Sequence, residues 1–187
     1  MRRTLNAIYA ASGALAAFFV FAIFVVVLAQ TLLNLADKVA KLVSGAPLGL
    51  LLPSYAEFAG YFLAAASFLA LASTLRAGGH IRVNLLIRRF APRTRRWVEV
   101  WCCTVATVLS GYFCYQTLLL TRDSWDYGDL SYGLIAIPIW IPQSAVSLGL
   151  VILTVALLDE LQWVLRGQPP CYEVDEGLLS GPEQVDR

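Results

Sequence analysis

AIYAASGALAAFFVFAIFVVVLA, residues 7–29, runs for about 23 residues without a charged side chain. A helix needs about 20 mainly apolar residues to cross roughly 30 Å of hydrocarbon, so this run is long enough to span a bilayer. Arg2 and Arg3 before it and Val27-Leu28-Ala29 at its end imitate a cleaved signal, but the apolar core of such a signal is typically 7–15 residues. The run is therefore read as a membrane span. Working outward, three more apolar runs follow, and the four spans are expected at about 7–29, 57–75, 98–121 and 140–160. Pro138 and Pro142 interrupt the start of the fourth, so an irregular segment is expected to lead into its helix. The composition agrees. Of 187 residues, 58% are hydrophobic and 14% charged, and the mean hydropathy is +0.66. Soluble domains hold about 25% charged residues, and one water-soluble core of this length cannot absorb such an excess of apolar side chains. An ordinary cytosolic enzyme, a disordered chain and a nucleic-acid binder are excluded on these grounds. The fold class is an all-α membrane protein of four transmembrane helices with short interfacial amphipathic helices. Residues 1–166 are expected to form the transmembrane domain, and residues 167–187, rich in Pro, Gly and acids, are expected to form a disordered cytoplasmic tail.

Charge gives the expected orientation, since cytoplasmic loops carry the Lys/Arg excess. Arg2 and Arg3 precede the first span, and the second loop holds Arg76, Arg82, Arg88, Arg89, Arg93, Arg95 and Arg96. The tail adds Arg166 and Arg187, whereas the opposite side has only Lys38, Lys41 and Arg122. Both termini are therefore expected in the cytoplasm. Aromatic side chains mark the same boundaries, with Trp97, Trp101 and Trp163 inside and Tyr55, Trp125, Tyr127, Tyr132 and Trp140 outside.

The loops carry further pattern. Leu32, Leu35, Ala36, Val39, Leu42 and Val43 recur at helical spacing opposite Asn34, Asp37, Lys38 and Lys41, predicting that the first helix continues as an amphipathic turn or two at the outer interface. Ser44-Gly45-Ala46-Pro47 ends it, and Leu48–Leu52 is apolar but too short to span. Ser54-x-x-Glu57 fits a capping box at the mouth of the second span; a carboxylate at the edge of a span otherwise points to a functional partner. In the basic loop, Gly78 and Gly79 are expected to end span two. Val83, Leu86, Ile87 and Phe90 form an apolar stripe beyond them, suiting a short helix on the inner leaflet. Arg88 and Arg89, off the stripe, are candidate contacts for phospholipid headgroups; the plainer alternative is a positive-inside anchor. The segment Arg122-Asp-Ser-Trp-Asp-Tyr-Gly-Asp129 reads as an acidic, aromatic outer loop, either simply solvated or a docking surface.

Sites for chemistry are sparse in the sequence. Cys102, Cys103, Cys114 and Cys171 have no Cys-x-x-Cys spacing and read as packing residues. His80 is the only histidine, so this chain alone cannot hold a b-type haem between two histidines, and no zinc spacing, P-loop or nucleophile elbow is present. Within the apolar runs no Asp, Glu, Lys or Arg sits near the midplane, where pumps and transporters of charged solutes place them. No catalytic residue, cofactor or metal ligand is expected, and the pattern suits an accessory subunit.

Arg76-x-Gly-Gly79-His80-Ile-Arg82-Val-Asn84-Leu-Leu resembles the signature of the small permease subunit (the Q-type membrane component) of TRAP transporters. The likeness extends to Pro53-Ser-Tyr-Ala-Glu57 and to Tyr132-Gly-Leu-Ile-Ala-Ile-Pro138-Ile-Trp140-Ile-Pro142. Asn84 stands where that family usually has Asp, which removes the charge for a salt bridge there. The resemblance implies three partners working together in the inner membrane of a bacterium. An extracytoplasmic solute-binding protein delivers a small organic acid, a large permease holds substrate and sodium, and the small subunit enlarges the static scaffold beside it. Arg76, Gly79, His80, Arg82 and Asn84 are then a cytoplasmic structural motif, while Glu57, Pro138 and Pro142 shape the outer ends of spans two and four. Trp125, Asp126 and Asp129 are the candidates for touching the binding protein. Two other readings stay in view. A self-associating small exporter would need a membrane carboxylate, for which Glu57 is the candidate. A redox-complex anchor would need histidines at two depths.

Overall fold

The computed structural model describes residues 2–46, 49–76 and 92–166. Four helices appear in them: α1 (Arg2–Ser44), α2 (Tyr55–Arg76), α3 (Pro92–Tyr127) and α4 (Trp140–Leu165). All four are long and apolar enough to cross a membrane. The substantial pairings are α1 on α2, α2 on α4 and α4 on α3, with a light touch of α1 on α4. The helices therefore lie in an open row, ordered α1–α2–α4–α3, with two broad faces, rather than in a closed bundle. Phe18, Phe21, Leu63, Tyr112 and Phe113 are among the large apolar side chains left exposed on those faces.

Small residues let the row close up, as expected where lipid supplies no hydrophobic drive between helices. Gly149 of α4 meets the backbone of α2 so closely that a Cβ there would lie 2.6 Å from the Phe68 carbonyl carbon. Gly13 of α1 faces Ser73, where an added Cβ would stand 3.1 Å from the serine Cβ. At the end of the row that the charge pattern assigns to the cytoplasm, Tyr9, Ala72 and Ala156 are buried together, with Leu5, Leu75 and Ile152 against them. Hydroxyls inside the spans find partners. Thr104, Thr107 and Thr117 bond back to carbonyls one turn earlier. Ser12 Oγ donates to the Leu69 carbonyl across α1 and α2. The Ser110–Thr154 and Thr121–Ser147 hydroxyl pairs, each at 2.9 Å, join α3 to α4. Such bonds replace the water absent from hydrocarbon.

As expected, the amphipathic segment after residue 29 continues α1, and it runs without a break to Ser44, where Gly45 takes a left-handed φ of 75° and donates its N–H to the Lys41 carbonyl. At 1.5 Å per residue α1 is about 64 Å long, twice what the hydrocarbon requires. Residues 49–52 return along α1. The Gly49 N–H donates to Asp37 Oδ1 and the Leu52 N–H to Gln30 Oε1, so the segment runs back along the polar side of α1. Other expectations are corrected. Arg122–Tyr127, expected in a loop, is the last stretch of α3. Gly128 (φ 68°) closes it, and the Asp129 N–H reaches the Ser124 carbonyl at 3.1 Å, the bond of a Schellman cap. Glu160, at the last position of the expected fourth span, is buried within α4. Gly78, Gly79, the stripe Val83–Phe90 and the tail 167–187 lie outside the described residues.

Candidate functional site

The richest polar geometry lies at the opposite end, which the charge pattern assigns to the outside, where α2 begins and the chain turns from α3 into α4. Residues 129–139 form a small closed loop. Leu130 and Pro138 make an isolated antiparallel bridge; the Ser131 N–H donates to the Ile137 carbonyl (2.8 Å) and the Ile139 N–H to the Asp129 carbonyl (3.0 Å). Ser131, itself buried, ties the interior through its hydroxyl, which donates to the Ile135 carbonyl. Pro138 stands where its missing N–H costs the bridge nothing, and its carbonyl accepts from the Ile141 N–H as α4 starts. Pro142 falls in the first turn of α4, where a helix tolerates proline. The loop tip, Tyr132 and Leu134, is fully open.

This loop packs on Glu57 at the start of α2 and is tied to the residue before that helix by the Ile135 N–H bond to Ser54 Oγ. The Tyr61 hydroxyl, one turn along the helix, donates to Glu57 Oε1 at 2.7 Å. Oε2 is tucked under the loop at Gly133, where any Cβ would fall on the carboxylate oxygen and also crowd Ser54 Oγ. The Ser54 and Ser131 hydroxyls and the Gly133 amide face the same carboxylate without closing a second bond of good geometry. Ser54 does not form the expected capping box. It sits at φ 57°, its carbonyl accepts the Glu57 and Phe58 N–H groups, and its hydroxyl accepts the Ile135 N–H at 3.2 Å. Glu57 accordingly points forward to Tyr61 and the loop instead of back to the helix start. The carboxylate thus takes one hydrogen bond, from the Tyr61 hydroxyl, and its other oxygen lies against the loop at Gly133.

Beside this latch, Tyr61 and Pro142 wall two apolar recesses of about 230 and 140 Å³. Thr117, Leu120 and Gln143 line the larger, and Phe19, Phe58 and Phe62 the smaller. On the outer edge, Trp125 of α3 meets Trp140 of α4 edge to face, with ring centroids 4.6 Å apart. Asp126 is exposed one turn from Arg122, at 3.7 Å, and Asp129 is exposed at the base of the loop.

The structure thus brings Glu57, Pro138 and Pro142 to one locus, and Trp125, Asp126 and Asp129 to a neighbouring edge. Arg76 is the last residue of α2; Gly79, His80, Arg82, Asn84, Arg88 and Arg89 lie outside the described residues. Tyr61, Ser131 and Gly133 were missed by the sequence reading. Tyr61 was findable, since Glu57 and Tyr61 are four apart on a helix. Ser131 and Gly133 carry no local signal for contacts that span some eighty residues. None of Cys102, Cys103 and Cys114 is in a disulfide, and among the described residues no three His, Cys, Asp or Glu side chains group as a metal site.

A family model described as "Tripartite ATP-independent periplasmic transporters, DctQ component" matches residues 49–167, well over half of the chain. That stretch contains the latch, the larger recess and the Trp125–Trp140 edge; the smaller recess also takes Phe19 of α1, outside the match. Comparisons with curated proteins and with solved structures give no match.

Proposed function

The chain belongs to the DctQ family of tripartite ATP-independent periplasmic transporters, and from that membership we propose that it is the small subunit that widens the membrane scaffold of a large permease. The family is a transporter component, not an enzyme family. In this reading an extracytoplasmic solute-binding protein delivers a small organic acid, and the large permease carries it inward with sodium. This chain binds neither.

The observation that carries the scaffold role is the open row of helices. A chain that moved a solute by itself would enclose a path between its helices; this one presents two broad apolar faces, each available to lipid or to another membrane protein. The Glu57 latch fits the same role, because it makes the outer turn between α3 and α4 a rigid platform and not a hinge. Trp125, Asp126 and Asp129 border that platform and would meet the binding protein. Both termini lie in the cytoplasm and the membrane is the bacterial inner membrane. Arg76, Gly79, His80, Arg82 and Asn84 brace the inner side, and Arg88 and Arg89 hold phospholipid headgroups.

The test is reconstitution. Vesicles carrying the large permease, with or without this chain, are given an inward sodium gradient and binding protein loaded in turn with a dicarboxylate, a sugar acid, a keto acid or sialic acid. Uptake of one of these should need both membrane chains and the gradient, falling at least tenfold without this chain. Equal uptake by the large permease alone would refute the scaffold role.

A further inference from the structure

Among the described residues, most hydroxyls at the depth of the spans close on the chain itself. Ser67, Thr104 and Thr107 donate to the carbonyl one turn back, and Ser110 and Ser147 pair with threonines between α3 and α4. One group on α3 does not. Gln116 Nε2 donates to the Tyr112 hydroxyl oxygen at 3.1 Å, and both side chains are exposed. That bond leaves the Tyr112 proton, the Gln116 Oε1 and the second amide proton open. Tyr115, 61% exposed beside them, adds a third polar side chain.

The group sits deep in the membrane. Trp97 and Trp101 mark one boundary along α3, and Trp125 and Tyr127 mark the other. Tyr112 is halfway between, and Gln116 is about 6 Å further along the axis. Lipid tails offer neither donor nor acceptor at that depth, so polar side chains there belong against protein. The chain itself does not cover them. Ser110 and Thr121, which join α4, are on the side of α3 opposite Tyr112, and α3 has no other substantial neighbour among the described residues. The pair therefore lies on the free edge of the row, away from both broad faces.

We propose that this edge of α3 is where two copies of the chain meet in the membrane, closed by a bond from Tyr112 of each copy to Gln116 Oε1 of the other. The open groups include one hydroxyl donor and one carbonyl acceptor. A two-fold axis along the membrane normal brings the donor of each copy to the acceptor of the other. The heights match too, because the bond within each chain already holds the hydroxyl and the amide at one level. Hydrogen bonds of this kind tie membrane helices together. A second copy supplies both partners by symmetry, whereas any other helix would need a donor and an acceptor of its own at that level. The inference does not depend on the scaffold reading, and each copy keeps its broad faces free for a large permease.

The experiment uses two differently tagged forms of the full chain, made together in its native membrane, extracted in mild detergent and captured through one tag. The second tag should be recovered with the first. Gln116→Leu and Tyr112→Phe should each lower that recovery at least fivefold. The double variant should lower it no further than the stronger single change, because the bonds form as a set. Both variants should extract from the membrane at unchanged levels, which separates loss of pairing from loss of folding. In membranes, Leu109→Cys, two turns inward from Gln116 on the same exposed side, should form a disulfide-linked dimer on oxidation once Cys102 and Cys171 are replaced by serine. Leu63→Cys, exposed on α2, should not. Absence of the second tag from the unsubstituted chain, undiminished recovery in Gln116→Leu, or a Leu109→Cys chain that stays monomeric overturns the proposal.

Discussion

Glu57 and Gly133, 76 positions apart in sequence, share one space: the carboxylate fills the volume that any side chain at 133 would need. The bond from Tyr61 to Glu57 Oε1 holds the carboxylate there, and the bond from the Ile135 N–H to Ser54 Oγ holds the loop over it. The turn between α3 and α4 is thereby fastened to the mouth of α2 through side chains that come from all parts of the latch.

Gly133→Ala should displace the carboxylate and free the loop. Hydrogen exchange at the Ile135 and Ile137 amides is expected to quicken by about tenfold, the scale of one lost hydrogen bond. Glu57→Ala should do the same, and Tyr61→Phe should do so more weakly. Unchanged exchange in Gly133→Ala would show that the loop holds without the latch.

The crossing of α4 over α2 is set by Gly149. A Cβ there meets backbone at 2.6 Å, and backbone cannot swing aside as a side chain can. Gly149→Val should force the helices apart and destabilise the fold by about 1–3 kcal/mol or more, read as a lower melting temperature in detergent. Gly60→Ala, where an added Cβ meets open space, should be neutral or slightly stabilising, since alanine favours the helix by up to about 1 kcal/mol.

The four spans were legible because a bilayer demands length and hydrophobicity, and both can be counted in the sequence. The end of α1 was legible through Gly45. The overrun of α3 was not: Arg122-Asp-Ser-Trp-Asp reads as polar loop, yet a helix leaving the membrane can continue through polar residues until something stops it. That stop is Gly128, which takes a left-handed φ of 68°; the glycine itself was the available signal. The proline-broken start of α4 was expected from Pro138 and Pro142. The loop's closure through Ser131 and Gly133 was hidden, because tertiary contact alone decides which glycine lies against which carboxylate. The capping box failed because Ser54 takes a left-handed φ and Glu57 turns forward to Tyr61, one turn along the same helix.

The hydroxyl pairs between α3 and α4 should be worth little individually. A double-mutant cycle of Ser110→Ala with Thr154→Val is expected to give a coupling of about 0.6 kcal/mol, typical of hydrogen bonds between membrane helices. A coupling of several kcal/mol would mean that these bonds, not the close approach at Gly149, fix the pairing.

The outer edge of Trp125, Asp126 and Asp129 should act on delivery and not on folding. Asp126→Lys with Asp129→Lys is expected to raise, by about tenfold, the concentration of loaded binding protein that gives half-maximal uptake, with the effect shrinking as salt is added. Melting of the chain should not change, because both acids are exposed. An unchanged concentration dependence would place the binding protein elsewhere.

The most direct measurement is a mild-detergent pull-down of the tagged chain from its native membrane, with mass spectrometry and absolute quantification of what accompanies it. The account predicts one much larger polytopic membrane protein in near-equal molar amount. Recovery of the chain only as a complex with itself would contradict it.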